Sequence, residues 1–222
     1  MAVAATLRLA HRGDHRRAPE NSLAALLAAL QVPGCDGVEF DVRASSDGIP
    51  VLLHDATLER VQGRPEAVGQ LTADELEPLG IPRLAAVLAA LPRRAFLDIE
   101  LKEPFGLPLI EVLAAGRGPD ILNAVISAFD PATIGRIRDL VPGWPCWLNT
   151  LDLEPATIVT AAELGCLGIS AEWPAVDSPG VSAARAAGLS VAAWTVTERS
   201  DYTRLVQLGV AAICVEGEAL DG

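Results

Sequence analysis

The sequence predicts a single (β/α)8 TIM barrel, an α/β fold in which parallel strands alternate with helices. Short apolar runs, typical of buried strands, alternate with helical patterns along the chain. The chain has 222 residues, and 50% of them are hydrophobic. One substantial core can be buried at this size, and the length demands no second domain. We therefore treat residues 1–222 as one barrel domain.

Eight segments have the short apolar composition expected of strands. Eight strands with helices between them, within about 200–400 residues, favour a closed barrel over an open sheet. The segments are Leu7–Ala10, Gly37–Val42, Ala95–Leu101, Ala124–Ser127, Cys146–Leu148, Leu167–Ala171, Val191–Thr195 and Ala212–Val215.

Seven helices are predicted between these strands. In the first, leucines recur from Leu23 to Leu30 at the i, i+3, i+4, i+7 spacing of a buried helical face. Only Glu216–Gly222 follow the last strand, so the final helix should be short or absent, and Asp55–Gly80 is the longest irregular stretch. The predicted helices are Ser22–Leu30, Leu84–Leu91, Leu107–Ala115, Ala132–Leu140, Ala156–Leu164, Val181–Ala187 and Ser200–Leu208.

The charge of the chain favours a small-molecule ligand. Seventeen basic and 29 acidic residues give a formal net charge of −12, and the chain contains no run of basic residues. Nucleic acid and anionic membrane surfaces should therefore be repelled. We find neither a signal peptide nor an apolar stretch of about 20 residues that could span a membrane, so we expect a cytoplasmic protein. The sequence leaves the oligomeric state open.

The four cysteines are widely spaced, without the C-x2-C pairs of zinc sites. We interpret all four as reduced core residues. They are Cys35, Cys146, Cys166 and Cys214.

Carboxylates alternate with apolar residues in the second predicted strand. Val38, Phe40 and Val42 can pack against helices, while Glu39 and Asp41 point together to the opposite face. In a barrel that face is the interior. Two carboxylates there are costly unless a cation lies between them.

The third predicted strand repeats this pattern with Asp98, Glu100 and Lys102 facing inward. Barrel active sites lie at the C-terminal ends of the strands, where Asp41, Glu100 and Lys102 are expected. Inward carboxylates on neighbouring strands make a hard-oxygen site suited to one Mg²⁺ or Ca²⁺ ion. The alternative is a set of buried ion pairs, Glu100 with Lys102 and Asp41 with an arginine.

Lys102 is the only lysine, whereas the chain contains 16 arginines. A compact ammonium offers contacts that a planar guanidinium cannot make. Lys102 is therefore a candidate phosphate ligand beside the carboxylates.

Two of the three histidines lie where strands end. His11 closes the first strand, and His54 follows the apolar run Pro50–Leu53. Imidazole is the usual acid and base near neutral pH, which makes both histidines catalytic candidates. His15 lies in the charged segment Asp14–Arg17 and is interpreted as solvated.

In these residues the chain resembles the glycerophosphodiester phosphodiesterases. The matching motifs follow the family's order across nearly the whole chain. They are His11-Arg12-Gly13, Ala18-Pro19-Glu20-Asn21-Ser22, Val38-Glu39-Phe40-Asp41-Val42, Asp47-Gly48-Ile49-Pro50-Val51, His54-Asp55, Ile81-Pro82-Arg83-Leu84, Ile99-Glu100-Leu101-Lys102, Ser127-Ala128-Phe129-Asp130 and Trp194-Thr195-Val196.

The resemblance implies a (β/α)8 barrel and a role for each matched residue. Glu39, Asp41 and Glu100 would bind one divalent metal ion, Mg²⁺ or Ca²⁺. Arg12 and Lys102 would bind the phosphate, and His11 and His54 would be the acid–base pair. Phe129 and Trp194 would line the substrate pocket, although Trp194 is equally consistent with the core. Asn21 or Ser22 is expected only to cap a helix.

The implied reaction is metal-dependent hydrolysis of glycerophosphodiesters to glycerol 3-phosphate and an alcohol. One alternative is a related phospholipase D-like barrel acting on lysophospholipid or sphingolipid-type substrates, which an apolar patch around the opening would favour. Another is a barrel that binds a phosphate ester without turnover. The order of the two histidines, the alcohol group and the metal stay open.

The chain departs from the family pattern at three places. The segment after His54 is short, so the usual insertion that shapes the substrate entrance is reduced. The threonines expected after His54-Asp55 are replaced in Arg60-Val61-Gln62-Gly63, and the terminal Thr-Asp-x-Pro becomes Val215-Glu216-Gly217-Glu218. None of these departures is expected to touch the candidate metal, phosphate or acid–base residues.

Overall fold

A computed structural model describes residues 5–221 and shows a closed parallel barrel of eight strands. The first strand pairs with both the second and the last, which closes the sheet. A ninth strand, β3, is a short antiparallel addition to β2 outside the barrel. The strands are β1 Leu7–His11, β2 Gly37–Ala44, β3 Pro50–Leu52, β4 Phe96–Leu101, β5 Ala124–Ala128, β6 Cys146–Thr150, β7 Gly168–Glu172, β8 Ser190–Val196 and β9 Ala212–Val215.

Helices connect the strands as expected and place the barrel strands in parallel. The final helix has only five residues, which confirms the prediction that it is short or absent. The helices are α1 Leu23–Ala29, α2 Glu59–Gln62, α3 Ala73–Leu76, α4 Leu84–Ala90, α5 Leu107–Arg117, α6 Pro131–Leu140, α7 Pro155–Glu163, α8 Ser178–Ala186, α9 Arg199–Leu208 and α10 Gly217–Asp221.

Side-chain alternation divides each strand between two environments. The outward-facing set, represented by Val38, Phe40 and Ile99, is buried in the layer between the barrel and its helices. Toward the barrel's interior, a separate small core includes Leu9, Val125 and Trp147. Strand β2 is parallel to β4 with Glu39 opposite Asp98 and Asp41 opposite Glu100, so these carboxylates share the inner side.

The predicted irregular stretch Asp55–Gly80 contains more structure than its sequence suggested. Besides α2 and α3 it holds two 3-10 turns, Val68–Gln70 and Glu77–Leu79. A satellite core that includes Leu58, Leu76 and Ile81 lies beneath it. These turns were missed because each has only three or four residues, which is too short for a helical period to be recognisable.

All four cysteines are free, as predicted; Cys35 is half-buried and the other three are buried. No helix within residues 5–221 is long and apolar enough to cross a membrane.

The turn after β1 depends on glycine. Gly13 has a φ of +83°, and a Cβ there would lie 2.5 Å from the carbonyl carbon of Ala25 in α1. Gly48 is a matched control, because its φ of +76° is similar but a Cβ would meet nothing within 4 Å. We expect Gly48→Ala to lower the free energy of unfolding by about 1 kcal/mol, and Gly13→Ala by about 3 kcal/mol. Thermal melts of both variants measure the difference; equal losses would contradict the tight packing against α1.

Candidate active site

Three buried carboxylates converge at the C-terminal mouth of the barrel. Glu39, Asp41 and Glu100 form the acidic cluster, in which one oxygen from each residue lies within 4.8 Å of the others. Two oxygens that each bind one ion at up to 2.6 Å can be at most about 5.2 Å apart. The spacing of the acidic cluster therefore allows all three residues to share one divalent cation.

The carboxylates of the acidic cluster crowd one another electrostatically. Burial, reinforced by Asp41 and Glu100, raises the pKa of Glu39 well above its usual range. Burial and Asp41 also raise the pKa of Glu100. Beneath them, burial raises the pKa of Asp98 to about 7, although Ser127 donates a hydrogen bond of 2.6 Å to it. The site thus lacks positive charge for its number of carboxyl groups.

Two cations partly neutralise the acidic cluster. The Arg12 Nε lies 3.1 Å from Asp41 Oδ2, and Lys102 Nζ lies 2.9 Å from Asp41 Oδ1 and also contacts Glu100 Oε1. Burial alone would raise the pKa of Asp41, but Lys102 and Arg12 hold it below its ordinary value. The structure thus contains the ion pairs that the sequence offered as an alternative, in the same place as the candidate metal and phosphate ligands.

His11 enters the site from the end of β1. Its Nδ1 is hydrogen-bonded to Glu216 Oε1, and its Nε2 lies 3.8 Å from Glu39 Oε2. The second oxygen of Glu216 lies 3.5 Å from His15 Nε2. His15 is exposed, in agreement with its interpretation as a solvated residue, and the contact with Glu216 is additional to that prediction. The hydrogen bond to His11 lowers the pKa of Glu216, which keeps it a carboxylate.

His54 approaches the same site from the segment that follows β3. Its Nδ1 lies 2.6 Å from Asp55 Oδ1, and its backbone carbonyl accepts a hydrogen bond from Arg43. Arg60 holds the other oxygen of Asp55 at 2.6 Å and lowers the pKa of Asp55 to about 2. Burial lowers the pKa of His54 itself, although Asp41 and Asp55 oppose this effect.

Several residues that hold the site together were not singled out from the sequence. Asn21 donates a 2.7 Å hydrogen bond to Asp41 Oδ2, whereas Ser22 is the helix cap that was expected at one of these two positions. Glu20 accepts hydrogen bonds from both Arg12 and Arg60. The only sequence signal was the matched motif Ala18–Ser22, in which Asn21 or Ser22 was expected only to cap a helix.

Aromatic residues form one wall of a cavity of about 160 Å³ at the mouth of the barrel. Phe129 and Trp194 pack edge to face with ring centroids 5.4 Å apart, and the Trp194 Nε1 donates to the Ser170 carbonyl. Trp194 therefore lines the pocket and also packs against the small inner core. Asn149 also lines the cavity and is only 6% exposed. All the candidate phosphate and acid–base residues border this same cavity, namely His11, Arg12, His54 and Lys102.

The residues at the mouth fit a divalent metal ion. Glu39 Oε1 is buried and has no hydrogen-bond partner among residues 5–221. An orphaned carboxylate oxygen within an all-oxygen donor set is the expected mark of a hard-cation site, because burial without a partner is costly. The structure therefore provides a cluster that could hold a metal, and it does not distinguish Mg²⁺ from Ca²⁺.

The fold and the site together define a TIM-barrel hydrolase with an acidic cluster and two histidines at its mouth. The chain belongs to the glycerophosphoryl diester phosphodiesterase family, whose model matches residues 11–217. It is thus a phosphoric diester hydrolase.

Individual relatives agree with this assignment. A glycerophosphodiester phosphodiesterase from Caldanaerobacter subterraneus subsp. tengcongensis is 27% identical over 95% of this chain and 94% of its own length. Human glycerophosphodiester phosphodiesterase 1 is 44% identical, but over only 32% of this chain and 21% of its own.

Solved structures show the same architecture. An Oleispira antarctica phosphodiesterase, solved with the product sn-glycerol-3-phosphate, superposes on this chain with a TM-score of 0.84 at 29% sequence identity. The superposition covers 95% of this chain and 93% of the Oleispira antarctica chain. A glycerophosphodiester phosphodiesterase from Agrobacterium tumefaciens gives a TM-score of 0.83 at 27% identity and covers 97% of this chain and 98% of its own.

One departure from the family pattern does touch a candidate residue, because Glu216 contacts His11. Arg60 contacts Asp55 and Glu20, which lie next to candidate residues but were not candidates themselves. The expectation that the departures touch none of the candidate residues was therefore wrong for Glu216. It failed because residues that are far apart in the sequence come into contact where the ends of neighbouring barrel strands meet.

Proposed function

We propose that this protein hydrolyses glycerophosphodiesters to glycerol 3-phosphate and an alcohol, with a divalent metal bound by Glu39, Asp41 and Glu100. The proposal rests chiefly on one observation: two histidines, two cations and the carboxylates of Glu39 and Glu100 line a single cavity, and Asp41 is ion-paired to both of those cations. A bound divalent ion would supply Lewis-acid stabilisation of charge on the phosphate oxygens.

Arg12 and Lys102 would bind the phosphate. A phosphodiester carries one negative charge and gathers more on its non-bridging oxygens in the transition state, so fixed donors in a partly dry site lower the barrier. Both side chains are mostly buried and already lie beside the acidic cluster. They also provide the local positive charge that an anionic substrate requires in a chain of net charge −12.

His11 and His54 would transfer the protons. His11 would accept a proton from the attacking hydroxyl group. If that group is water, glycerol 3-phosphate forms directly; if it is a hydroxyl of the substrate itself, a cyclic phosphate forms first, and water must open it in a second step. As the bond between phosphorus and the leaving oxygen breaks, His54 would give its proton to the departing alcoholate.

A substrate panel tests the proposal. We expect diesters of glycerol 3-phosphate to release glycerol 3-phosphate when Mg²⁺, Ca²⁺ or Mn²⁺ is present, and chelated enzyme to release far less. Binding of these diesters without any release of product would support the phosphate-binding barrel instead.

One observation favours lysophospholipids as a second substrate class. Large apolar side chains follow three adjacent strands at the mouth: Leu107 after β4, Phe129 after β5 and Leu151 after β6, with exposures of 60%, 44% and 64%. An acyl chain could rest on such residues while the head group enters the cavity. Release of choline from lysophosphatidylcholine faster than from glycerophosphocholine would favour this class; the opposite order would favour the first.

Lys102→Arg tests the phosphate role of the only lysine. We expect kcat/KM to fall at least about tenfold although the charge is kept, because a planar guanidinium cannot place a donor where Nζ bridges Asp41 and Glu100. Thermal melting should change little. Wild-type turnover by this variant would contradict a phosphate role for Lys102. The control is Arg94→Lys, which exchanges the same two residue types at an exposed position.

A further inference from the structure

We infer that Glu216 is a positioning residue that fixes His11 as the Nδ1–H tautomer and aims its Nε2 at the reacting groups. The inference goes beyond the proposed function but rests on its assignment of His11 to proton transfer. Its basis is geometric. The Nδ1 of His11 is hydrogen-bonded to Glu216 Oε1. Its Nε2 is on the opposite edge of the ring and lies 3.8 Å from Glu39 Oε2.

The barrel's closing seam places these two residues side by side. Strands β1 and β9 are parallel with Ala10 opposite Val215, so the next step along both strands sets His11 beside Glu216. In a parallel pair, residues at the same register point to the same face. The backbone of Glu216 is held as well, since its N–H donates to the Val196 carbonyl at 2.9 Å and α10 begins immediately after it.

The contact determines which ring nitrogen can act as a base. A carboxylate can only accept a hydrogen bond, so the proton of neutral His11 must lie on Nδ1, which leaves the Nε2 lone pair free. Glu216 also stabilises the imidazolium that forms once Nε2 takes up a proton, as the aspartate does in a serine-protease triad.

The carboxylates that contact the two histidines differ in their other partners. Asp55, which contacts His54, also binds Arg60 at 2.6 Å, so its negative charge is largely shared with a guanidinium. Within the described residues Glu216 forms ion pairs with His11 and His15 but with no arginine, and Arg12 acts on it only at longer range. The carboxylate that contacts His54 is thus shared with an arginine, whereas the carboxylate that contacts His11 is paired only with histidines, and this arrangement favours His11 as the base of the pair.

Nitrogen-15 NMR of the imidazole rings tests the tautomer without relying on turnover. The chain has only three histidines, so each ring can be assigned by substitution. At a pH where the rings are neutral, we expect wild-type His11 to be protonated on Nδ1 and Glu216→Gln to shift it toward Nε2–H, because an amide can donate to Nδ1. His54 should keep its form in both proteins. An unchanged His11 in Glu216→Gln would overturn the inference.

Steady-state kinetics of Glu216 variants provide a second test of the inference. Glu216→Gln should lower kcat by roughly 10–10³-fold and change KM by less than about threefold, and Glu216→Asp, which restores the carboxylate, should recover part of the loss. Glu218→Gln, two residues later and exposed, is the control. A loss no larger than that of the control, or a fall in Tm without a tautomer change, would overturn the inference. A wild-type protein without diesterase turnover would refute the proposed function, while the NMR result would still decide the tautomer.

Discussion

Turnover should fall roughly 10²–10⁴-fold in His11→Ala and in His54→Ala, which is the usual contribution of general acid–base catalysis. Both imidazoles border the cavity that is also lined by Glu39 and Glu100, so each can reach a group bound there. Metal binding should be nearly unchanged, because the proposed ligands are carboxylates. His15→Ala should cost less than either, since His15 contacts only the second oxygen of Glu216.

The pH profile assigns the two roles. A base must be neutral to act, so its variant should lose the rise of rate with pH; an acid must be protonated, so its variant should lose the fall at higher pH. Substrates with a nitrophenol leaving group need little protonation on departure. The variant of the acid should recover much of its rate on them, whereas the variant of the base should stay slow. Equal losses on both kinds of substrate would contradict the division of labour, and loss of metal binding would place that histidine among the ligands.

The sequence predicted the parts of this molecule that depend on local periodicity. Alternation of apolar and acidic residues in β2 and β4 placed Glu39, Asp41 and Glu100 on the inner face, and the structure brings all three together. The barrel itself was confirmed, with helix and strand bounds within a few residues of those expected.

The sequence could not predict the contacts that depend on how distant segments meet. Glu216 reaches His11 only because the barrel closes between β9 and β1, and Arg60 reaches Glu20 only because the segment after β3 folds over the mouth. Both arise from three-dimensional closure, for which no short-range pattern exists. Asn21 was missed for a different reason: its position before a helix suggested a cap, and a capping role already explained its residue type.

Chelation should lower turnover by at least about 10³-fold, because a metal contributes several kcal/mol of charge stabilisation in such reactions and each 1.4 kcal/mol is about tenfold. Returning Mg²⁺, Ca²⁺ or Mn²⁺ should restore the rate, and the ion that restores it at the lowest concentration identifies the preferred metal. The physical reason lies in the acidic cluster, where Glu39 retains a buried oxygen without a hydrogen-bond partner among residues 5–221.

Glu39→Gln, Asp41→Asn and Glu100→Gln should each raise the metal concentration needed for half-maximal activity, since each removes one charged ligand. Metal should also raise the Tm of the wild type by mass action, and the three variants should lose this shift. Glu172→Gln is the matched control, because this carboxylate also ends a barrel strand, β7, yet is exposed and outside the cavity lining. If the cluster variants kept the wild-type metal dependence of both Tm and turnover, the ion would have to bind elsewhere and the three carboxylates would serve only as partners of Arg12 and Lys102.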